Sequence, residues 1–241
     1  MSIQEISNDE KLRMQEEFLP SSDIVEQINI QLHMAIESNE GSESVMPTCA
    51  ALGLADNVDR IADVSEGKKK FDAAIIAFAD LPPTHKERAQ AFEGLGAKLV
   101  IDSDMKPVLA IFTFEAWLAA YKTNEEQKEA YKKYGNSLKD HPGSTEVFVC
   151  SGMTLDGRTI HKSVPFTRDS ENNIVFGNVE DFTVQDIFNP FKDNPETSPR
   201  DFNLTAFFKG VAMASTLKMI ERDKDSVPPE ILEALRKMAG A

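Results

Sequence analysis

Four side chains in this sequence could together form a pocket with an acid–base group. Glu115 closes an apolar run and Trp117 follows two residues later, while His141 lies beside Asp140 and His161 lies in a second apolar run. A carboxylate near an indole and an imidazole could line a pocket and transfer a proton. In an alternative that stays open, strand alternation places Glu115 and Trp117 on one face, and a basic residue pairs with Glu115. Glu115, His141 and His161 are therefore candidates only, and no residue is assigned to catalysis.

No local motif for binding a metal, a phosphate or an acyl group is present. The sequence contains neither H-E-x-x-H nor Cys-x-x-Cys, so it has no zinc signature. It also lacks the G-x-x-x-x-G-K-[ST] and G-x-G-x-x-G phosphate loops and the G-x-S-x-G turn of hydrolases. Gly94 and Gly96 are predicted to end a helix, and His33 and His85 are expected to be structural or exposed. We expect no cofactor and no metal.

The two cysteines, Cys49 and Cys150, each lie in an apolar stretch. We predict that both are buried free thiols, because one distant pair does not form a disulfide framework. The N-terminus lacks an apolar signal sequence, and no run approaches the about 18 apolar residues that span a bilayer. The expected location is the reducing cytoplasm, without membrane contact.

The chain is strongly acidic, with 26 Lys and Arg against 40 Asp and Glu and a formal net charge of −14. Residues 1–44 hold ten acidic and two basic side chains and so contribute −8 of that charge. Proteins that bind nucleic acid by neutralising phosphates need a basic surface, so we expect no direct nucleic-acid binding. The acidic segment is interpreted as solvated surface, with two alternatives: a face for a basic partner and a mimic of nucleic-acid charge.

Apolar residues recur at helical spacing in several segments. Ile24, Ile28 and Leu32 predict an amphipathic helix over residues 23–38. Thr84 and Glu87 have the spacing of a capping box that opens a helix ending near Lys98. Further helices are predicted over residues 69–81, 124–134, 203–220 and 228–239.

The middle of the chain has the strongest strand signal. Two extended runs flank Asp156-Gly157, and a second polar break leads to a third run, which predicts a three-stranded antiparallel meander near 145–177. Another strand is predicted near 108–114, and residues 45–65 and 181–191 fit either type of element. Because strands and helices do not alternate, we predict an α+β fold with a mainly antiparallel sheet packed by N- and C-terminal helices.

The predicted domain organisation is simple. Residues 1–20 form an acidic leader that need not be ordered, and residues 21–241 form a single α+β domain. No internal repeat interrupts this range.

A series of short motifs carries a resemblance. Phe114-Glu115-Ala116-Trp117 is followed by His141-Pro142, Glu146-Val147 and Asp156-Gly157-Arg158. This order resembles small bacterial and phage proteins of unknown function, in which a strand ending in Glu-Ala-Trp leads into a second strand that opens with Glu-Val. The resemblance covers roughly residues 84–160, and this chain has Thr113-Phe114 where a serine is expected. It implies the strand arrangement and, since those proteins have no known activity, no function.

Two functional hypotheses from different classes follow. The first is a soluble, acidic, non-enzymatic accessory protein that binds a protein partner or its own copies, with Trp117, Phe188 and Phe191 as candidate docking residues. The second is an enzyme of unrecognised type with a pocket near Glu115, Trp117, His141 and His161. The hypotheses differ in whether those four side chains converge in one cleft.

Overall fold

The computed structural model describes residues 8–54, 71–103, 105–119, 123–134, 139, 141–176 and 199–222. These residues form five helices and six strands. The helices are α1 (Asn8–Phe18), α2 (Ser21–Asn39), α3 (His85–Ser103), α4 (Asn124–Tyr134) and α5 (Pro199–Arg222). The strands are β1 (Thr48–Leu54), β2 (Phe71–Ala77), β3 (Pro107–Ala119), β4 (Ser144–Thr154), β5 (Thr159–Arg168) and β6 (Ile174–Phe176). The predictions for residues 181–191 and 228–239 lie outside the described residues.

The six strands form one antiparallel sheet in the order β2-β1-β3-β4-β5-β6. Strands β4, β5 and β6 are the predicted meander, and β3 contains the predicted strand near 108–114. The hairpin between β4 and β5 turns through Gly157, whose φ of 88° lies in the left-handed region that favours glycine. The predicted α+β fold with a mainly antiparallel sheet and helices near both ends is confirmed.

Hydrophobic cores lie on both faces of the sheet. On one face, Ile28 of α2 packs in a cluster with Phe148 of β4. The opposite core contains four buried phenylalanines, Phe92 of α3, Phe112 of β3, and Phe207 and Phe208 of α5. Helix α2 lies over β3, β4 and β5. The outermost strand β2 is therefore beyond the part of the sheet that α2 covers.

The prediction of a helix over residues 69–81 is wrong, because β2 occupies this segment. Its alanine-rich apolar run suits a helix as well as a strand when it is considered alone. Pairing with β1 decides the outcome: all seven residues are in register, from Thr48 opposite Ala77 to Leu54 opposite Phe71. Tertiary pairing therefore overrides local helix propensity here.

Helix α3 begins as predicted and ends later than predicted. The Glu87 backbone N–H donates to Thr84 Oγ1 at 3.2 Å, and the Thr84 N–H donates to a Glu87 carboxylate oxygen at 3.2 Å, which confirms the capping box. The prediction that Gly94 and Gly96 end the helix is wrong, because α3 continues to Ser103. Gly96 instead lies against α5, where a Cβ would collide with the carbonyl oxygen of Phe207.

Both cysteines are free and buried, which confirms the prediction for them. Cys49 belongs to the core beneath α3 and α5, whereas Cys150 belongs to the core beneath α2. They therefore lie on opposite faces of the sheet and cannot pair with each other. Burial raises the pKa of each thiol to about 12, so both stay protonated and unreactive at neutral pH.

Candidate functional site

The candidate residues from the sequence lie on two different faces of the sheet. Glu115 of β3 is opposite Phe148 of β4, so its side chain is on the face that α2 covers. Trp117, two residues further along β3, is on the same face. His161 is opposite Ser151, and its side chain therefore lies on the face of α3 and α5. One cleft cannot contain all of these side chains.

Glu115 is held in an ion-pair cluster with Glu146 and Arg168. The Arg168 Nη2 donates to Glu146 at 2.8 Å and to Glu115 at 3.3 Å. Three strands supply the three side chains: Glu115 lies just beyond the buried part of β3, Glu146 lies near the start of β4, and Arg168 ends β5. The alternative in which a basic residue pairs with Glu115 is the arrangement observed.

The two carboxylates, Glu115 and Glu146, form a carboxylate pair with opposite pKa shifts. Burial raises the pKa of Glu115, and the hydrogen bond and the negative charge of Glu146 raise it further against the opposing effect of Arg168. Burial would also raise the pKa of Glu146, but hydrogen bonds from Arg168 and Glu115 outweigh burial and lower it. As the pH falls, the proton shared by the pair therefore goes to Glu115 first.

Such a pair has the electrostatics of a general acid beside an ionised carboxylate. Arg168, however, also donates through Nη1 to the backbone oxygens of Glu43 at 2.6 Å and Asn172 at 3.4 Å. It thereby joins β3, β4 and β5 to the α2–β1 loop and to the turn before β6. The carboxylate pair thus has a structural role: it binds Arg168, which connects the three strands and the two loops.

Glu115→Gln and Glu146→Gln are expected to change the free energy of unfolding in opposite directions at pH 8. Glu115→Gln relieves the repulsion of the carboxylate pair and adds about 0.5–1 kcal/mol, whereas Glu146→Gln takes the main partner from Arg168 and costs about 2 kcal/mol. The raised pKa of Glu115 makes stability fall as pH rises through that pKa, so the gain from Glu115→Gln should shrink at pH 4. The lowered pKa of Glu146 supplies stability that is lost as pH falls through it, so the cost of Glu146→Gln should also shrink in acid.

Urea unfolding of the wild type and both variants at pH 4 and pH 8 measures these differences. A Glu115→Gln variant that is less stable than wild type at pH 8 would contradict the pKa order within the carboxylate pair. If the two substitutions change the free energy of unfolding equally, Glu115 and Glu146 contribute equally to the binding of Arg168.

His141 shapes the turn that leads into β4. Its Nδ1 accepts a hydrogen bond from the Gly143 N–H at 3.0 Å, and its carbonyl oxygen accepts one from the Ser144 N–H at 3.0 Å. The side chain therefore closes a tight local turn. This contact gives the His141 side chain a structural role in the turn.

His161 contacts Ser151, a residue that the sequence did not single out. The Ser151 Oγ lies 2.7 Å from His161 Nδ1, as in a nucleophile–base pair. Ser151 is completely buried, so its hydroxyl has no access to a substrate. The register of the predicted β4–β5 hairpin would have found this contact, because the two residues are directly opposite.

Trp117 and the two phenylalanines complete the sequence-predicted set. Trp117 is partly exposed and lies opposite Glu146 near the outer end of β3. Phe188 and Phe191 lie outside the described residues. The part of the docking hypothesis that depends on them stays a prediction.

A second candidate site, which the sequence did not indicate, is an apolar groove between α2 and the edge of the sheet. We call it the edge groove; its volume is about 180 Å³. The three largest apolar side chains in its lining, Met34, Met46 and Ile75, are 45%, 52% and 50% exposed. The full lining is Gln31, Met34, Ala35, Ser38, Asn39, Met46, Thr48, Ile75 and Ala77.

The edge groove exists because α2 is set back from β2. Ile75 pairs with Ala50 of β1 and so points to the face of α2, but α2 lies over β3, β4 and β5. Met34 and Met46 fill only part of the gap. The sequence could not reveal this site, since Ile75 was in a segment predicted to be a helix.

Acidic side chains are exposed on α1, on α2 and directly after α2. Glu17 and Glu37 are exposed, and so are Glu16 and Glu40. Two of these four have structural roles, because Glu16 pairs with Arg158 at 2.9 Å and Glu40 accepts the Phe176 N–H at 3.2 Å. Of the four, Glu17 and Glu37 are the better positions at which to test the charge of this surface.

Comparison of the chain with known protein families, with curated proteins and with solved structures finds no match. Among the described residues, no helix is long and apolar enough to cross a membrane. Within the same ranges, no three or more His, Cys, Asp or Glu side chains are grouped so that they could hold a metal ion. Functional proposals for this chain therefore depend on the geometry described above.

Proposed function

We propose that this protein is a non-enzymatic accessory protein that binds a partner protein, and that the edge groove is its binding site. The observation that carries the proposal is the half exposure of Met34, Met46 and Ile75 around one apolar groove. Apolar side chains that gather at an open groove are typical of binding surfaces. The placement of Glu115 and His161 on opposite faces of the sheet favours binding over catalysis by these residues.

The chemistry of the edge groove and its surroundings indicates the kind of partner. Methionine side chains adapt to different apolar shapes, so Met34 and Met46 suit an amphipathic segment of a partner. Glu37 is exposed on the helix that lines the groove, and residues 1–44 carry a negative charge as a whole, so basic residues are favoured on the polar side of that segment. We therefore propose an amphipathic segment with lysine or arginine on its polar side as the occupant.

The alternative hypothesis, an enzyme, now applies only to the carboxylate pair of Glu115 and Glu146. A pocket that combines Glu115 with His161 is not supported, because the sheet separates them. Within the described residues, the carboxylate pair with its opposite pKa shifts is the feature that favours this hypothesis. The contacts of Arg168 with four other parts of the chain favour a structural role for the pair.

The cytoplasm is the compartment that we propose for this activity. Both cysteines are free thiols in separate cores, as is usual in a reducing environment. The resemblance to bacterial and phage proteins suggests a bacterial or viral setting and leaves the partner open.

Charge-neutral substitution in the edge groove tests the proposal. The immobilised full chain should retain a host protein that the Met34→Gln/Met46→Gln variant binds about 30-fold more weakly, because two apolar contacts are lost without a change in charge. Met219→Gln is the matched control, since Met219 is an exposed methionine on α5. The retained protein is identified by mass spectrometry, purified, and its Kd measured for all three forms.

Charge is tested separately with Glu17→Gln/Glu37→Gln. This variant should weaken binding at about 0.05 M NaCl and have little effect at about 0.5 M NaCl, since salt screens exposed charges. The proposal is overturned if the Met34→Gln/Met46→Gln variant binds as tightly as the Met219→Gln control. It is equally overturned if the wild type retains no protein from its host.

A further inference from the structure

The two outer strands of the sheet, β6 and β2, differ in what lies along their outer edges. At the β6 edge, the Gly41 N–H donates to the Ile174 carbonyl oxygen at 3.0 Å, and the Ile174 N–H donates to the Ser42 carbonyl oxygen at 2.8 Å. The loop after α2 thus covers this edge. At the opposite edge the strand order ends with β2, and no described strand lies beyond it.

We call this β2 edge the open edge, since none of the described strands pairs with its outer side, and it is apolar and almost uncharged. Strand β2 has the sequence Phe-Asp-Ala-Ala-Ile-Ile-Ala, in which Asp72 is the one charged residue. Ala73, Ile75 and Ala77 are exposed. Proteins usually protect such an edge with lysine, proline or a covering element, because an open apolar strand pairs readily with another strand.

We propose that a second copy of this chain occupies the open edge, by antiparallel pairing of β2 with β2 about a two-fold axis through Ala74. All seven residues pair in this register. On the face of α2, Ile75 then lies opposite Ala73 of the second copy, and Phe71 lies opposite Ala77, so each large side chain meets a small one. The two Asp72 carboxylates are kept apart, since each lies opposite Ile76 of the second copy.

Net charge also favours this edge for contact between copies. Two chains of charge −14 repel each other, so a dimer needs an interface that keeps its acidic surfaces apart. The β2 edge is almost uncharged, and the residues just before it in the sequence are Lys68-Lys69-Lys70. Salt screens the repulsion between the chains, so the dimer should tighten as ionic strength rises.

The dimer would join the two edge grooves. A two-fold axis perpendicular to the sheet places both α2 helices on the same side, with the paired β1 and β2 strands of each copy between them. Four adjacent strands span about 14 Å from first to last axis, and a helix with its side chains is about 10–12 Å wide. The joined groove therefore has room for one amphipathic helix, and in this respect the inference rests on the proposed function.

A pair of matched variants tests the register. Ile75→Lys alone should weaken the dimer about 100-fold, because the apolar contact is lost twice in a two-fold dimer. Ala73→Glu alone should weaken it to a similar degree. When the two variants are mixed, the introduced lysine of one chain faces the introduced glutamate of the other, while the second Ala73–Ile75 contact is restored, so a heterodimer should form. Both positions are exposed, so the monomer should fold normally.

Native mass spectrometry and light scattering at about 50 µM protein give the stoichiometry. We expect a wild-type dimer that strengthens between about 0.05 M and 0.5 M NaCl, two monomeric single variants and a one-to-one heterodimer in the mixture. A monomeric wild type at high salt, or single variants that stay dimeric, would overturn the inference.

The dimer and the proposed function can fail independently. If the wild type is monomeric while Met34→Gln/Met46→Gln still releases the partner, the dimer is wrong and the binding site stands. If the heterodimer forms while the partner binds the Met34→Gln/Met46→Gln variant normally, the dimer stands and the proposed function is wrong. The opposite salt dependences of the two associations separate them further.

Discussion

Replacing Gly210 with alanine is expected to lower the free energy of unfolding by about 3 kcal/mol. Gly210 lies where α5 crosses α3, and a Cβ there would collide with the backbone carbonyl of Glu93 and approach the Ala97 nitrogen to 3.0 Å. These neighbours are main-chain atoms of a helix, so they cannot turn away as a side chain would. The two helices would have to separate and disturb the core that contains Phe92 and Phe207.

The chain contains a matched control for this effect. Gly94 also lies within α3, but nothing is within 4 Å of the position that its Cβ would take. Gly94→Ala should therefore stabilise the protein by about 0.5–1 kcal/mol, through helix propensity alone. Urea unfolding of both variants measures the contrast, and equal stabilities would contradict the close helix crossing.

Replacing Arg158 with alanine is expected to cost about 3–5 kcal/mol. The guanidinium is 8% exposed and binds Asp156 with two nitrogens, at 3.1 Å from Nε and 2.9 Å from Nη2. It also donates to the Leu19 carbonyl oxygen at 2.7 Å and to Glu16 at 2.9 Å. Its removal would take guanidinium donors from Asp156, Glu16 and the buried Leu19 carbonyl oxygen, and it would release the α1–α2 junction from the β4–β5 hairpin.

Two further substitutions separate the effect of geometry from the effect of charge. Arg158→Lys keeps the charge but cannot reproduce the planar fork, so it should recover less than half of the loss. Arg13→Ala removes the same charge from an exposed position on α1 and should change stability by less than about 0.5 kcal/mol. Hydrogen exchange of residues 8–18 provides a local measurement. If Arg158→Ala leaves their protection unchanged, Arg158 does not hold α1 in place.

The sequence predicted those elements whose local signals agree with their tertiary environment. The meander was predictable because the Asp156-Gly157 turn is flanked by runs with strand periodicity, and the turn in the structure uses Gly157 at positive φ. The start of α3 was predictable because Thr84 and Glu87 satisfy each other's hydrogen bonds within one helical turn. In both cases the deciding contacts are close together in the chain.

The predictions from the sequence were wrong where contacts between distant parts of the chain determine the structure. Strand β2 has an alanine-rich sequence that suits a helix, and its pairing with β1 across an intervening segment determines the outcome. Gly96 was interpreted as a helix end because glycine is common there, whereas its role is to let Phe207 of α5 approach. Neither partner can be identified from the local pattern.

The same distinction applies to the candidate site. The sequence offered the pairing of a basic residue with Glu115 as one of two alternatives, and the structure contains that pairing. That this residue is Arg168, and that Glu146 shares it, depends on the register of three strands. The edge groove depends on the placement of α2 relative to β2, and no single segment encodes this placement.

Native mass spectrometry of the protein purified gently from its own host tests the central claim most directly. We expect complexes that contain two copies of this chain and a basic partner protein, and we expect the Met34→Gln/Met46→Gln variant to lose the partner. A single chain that carries a metal ion or a metabolite, with no second protein, would contradict the account. That result would direct attention to the carboxylate pair, Glu115 and Glu146, as the working site of the molecule.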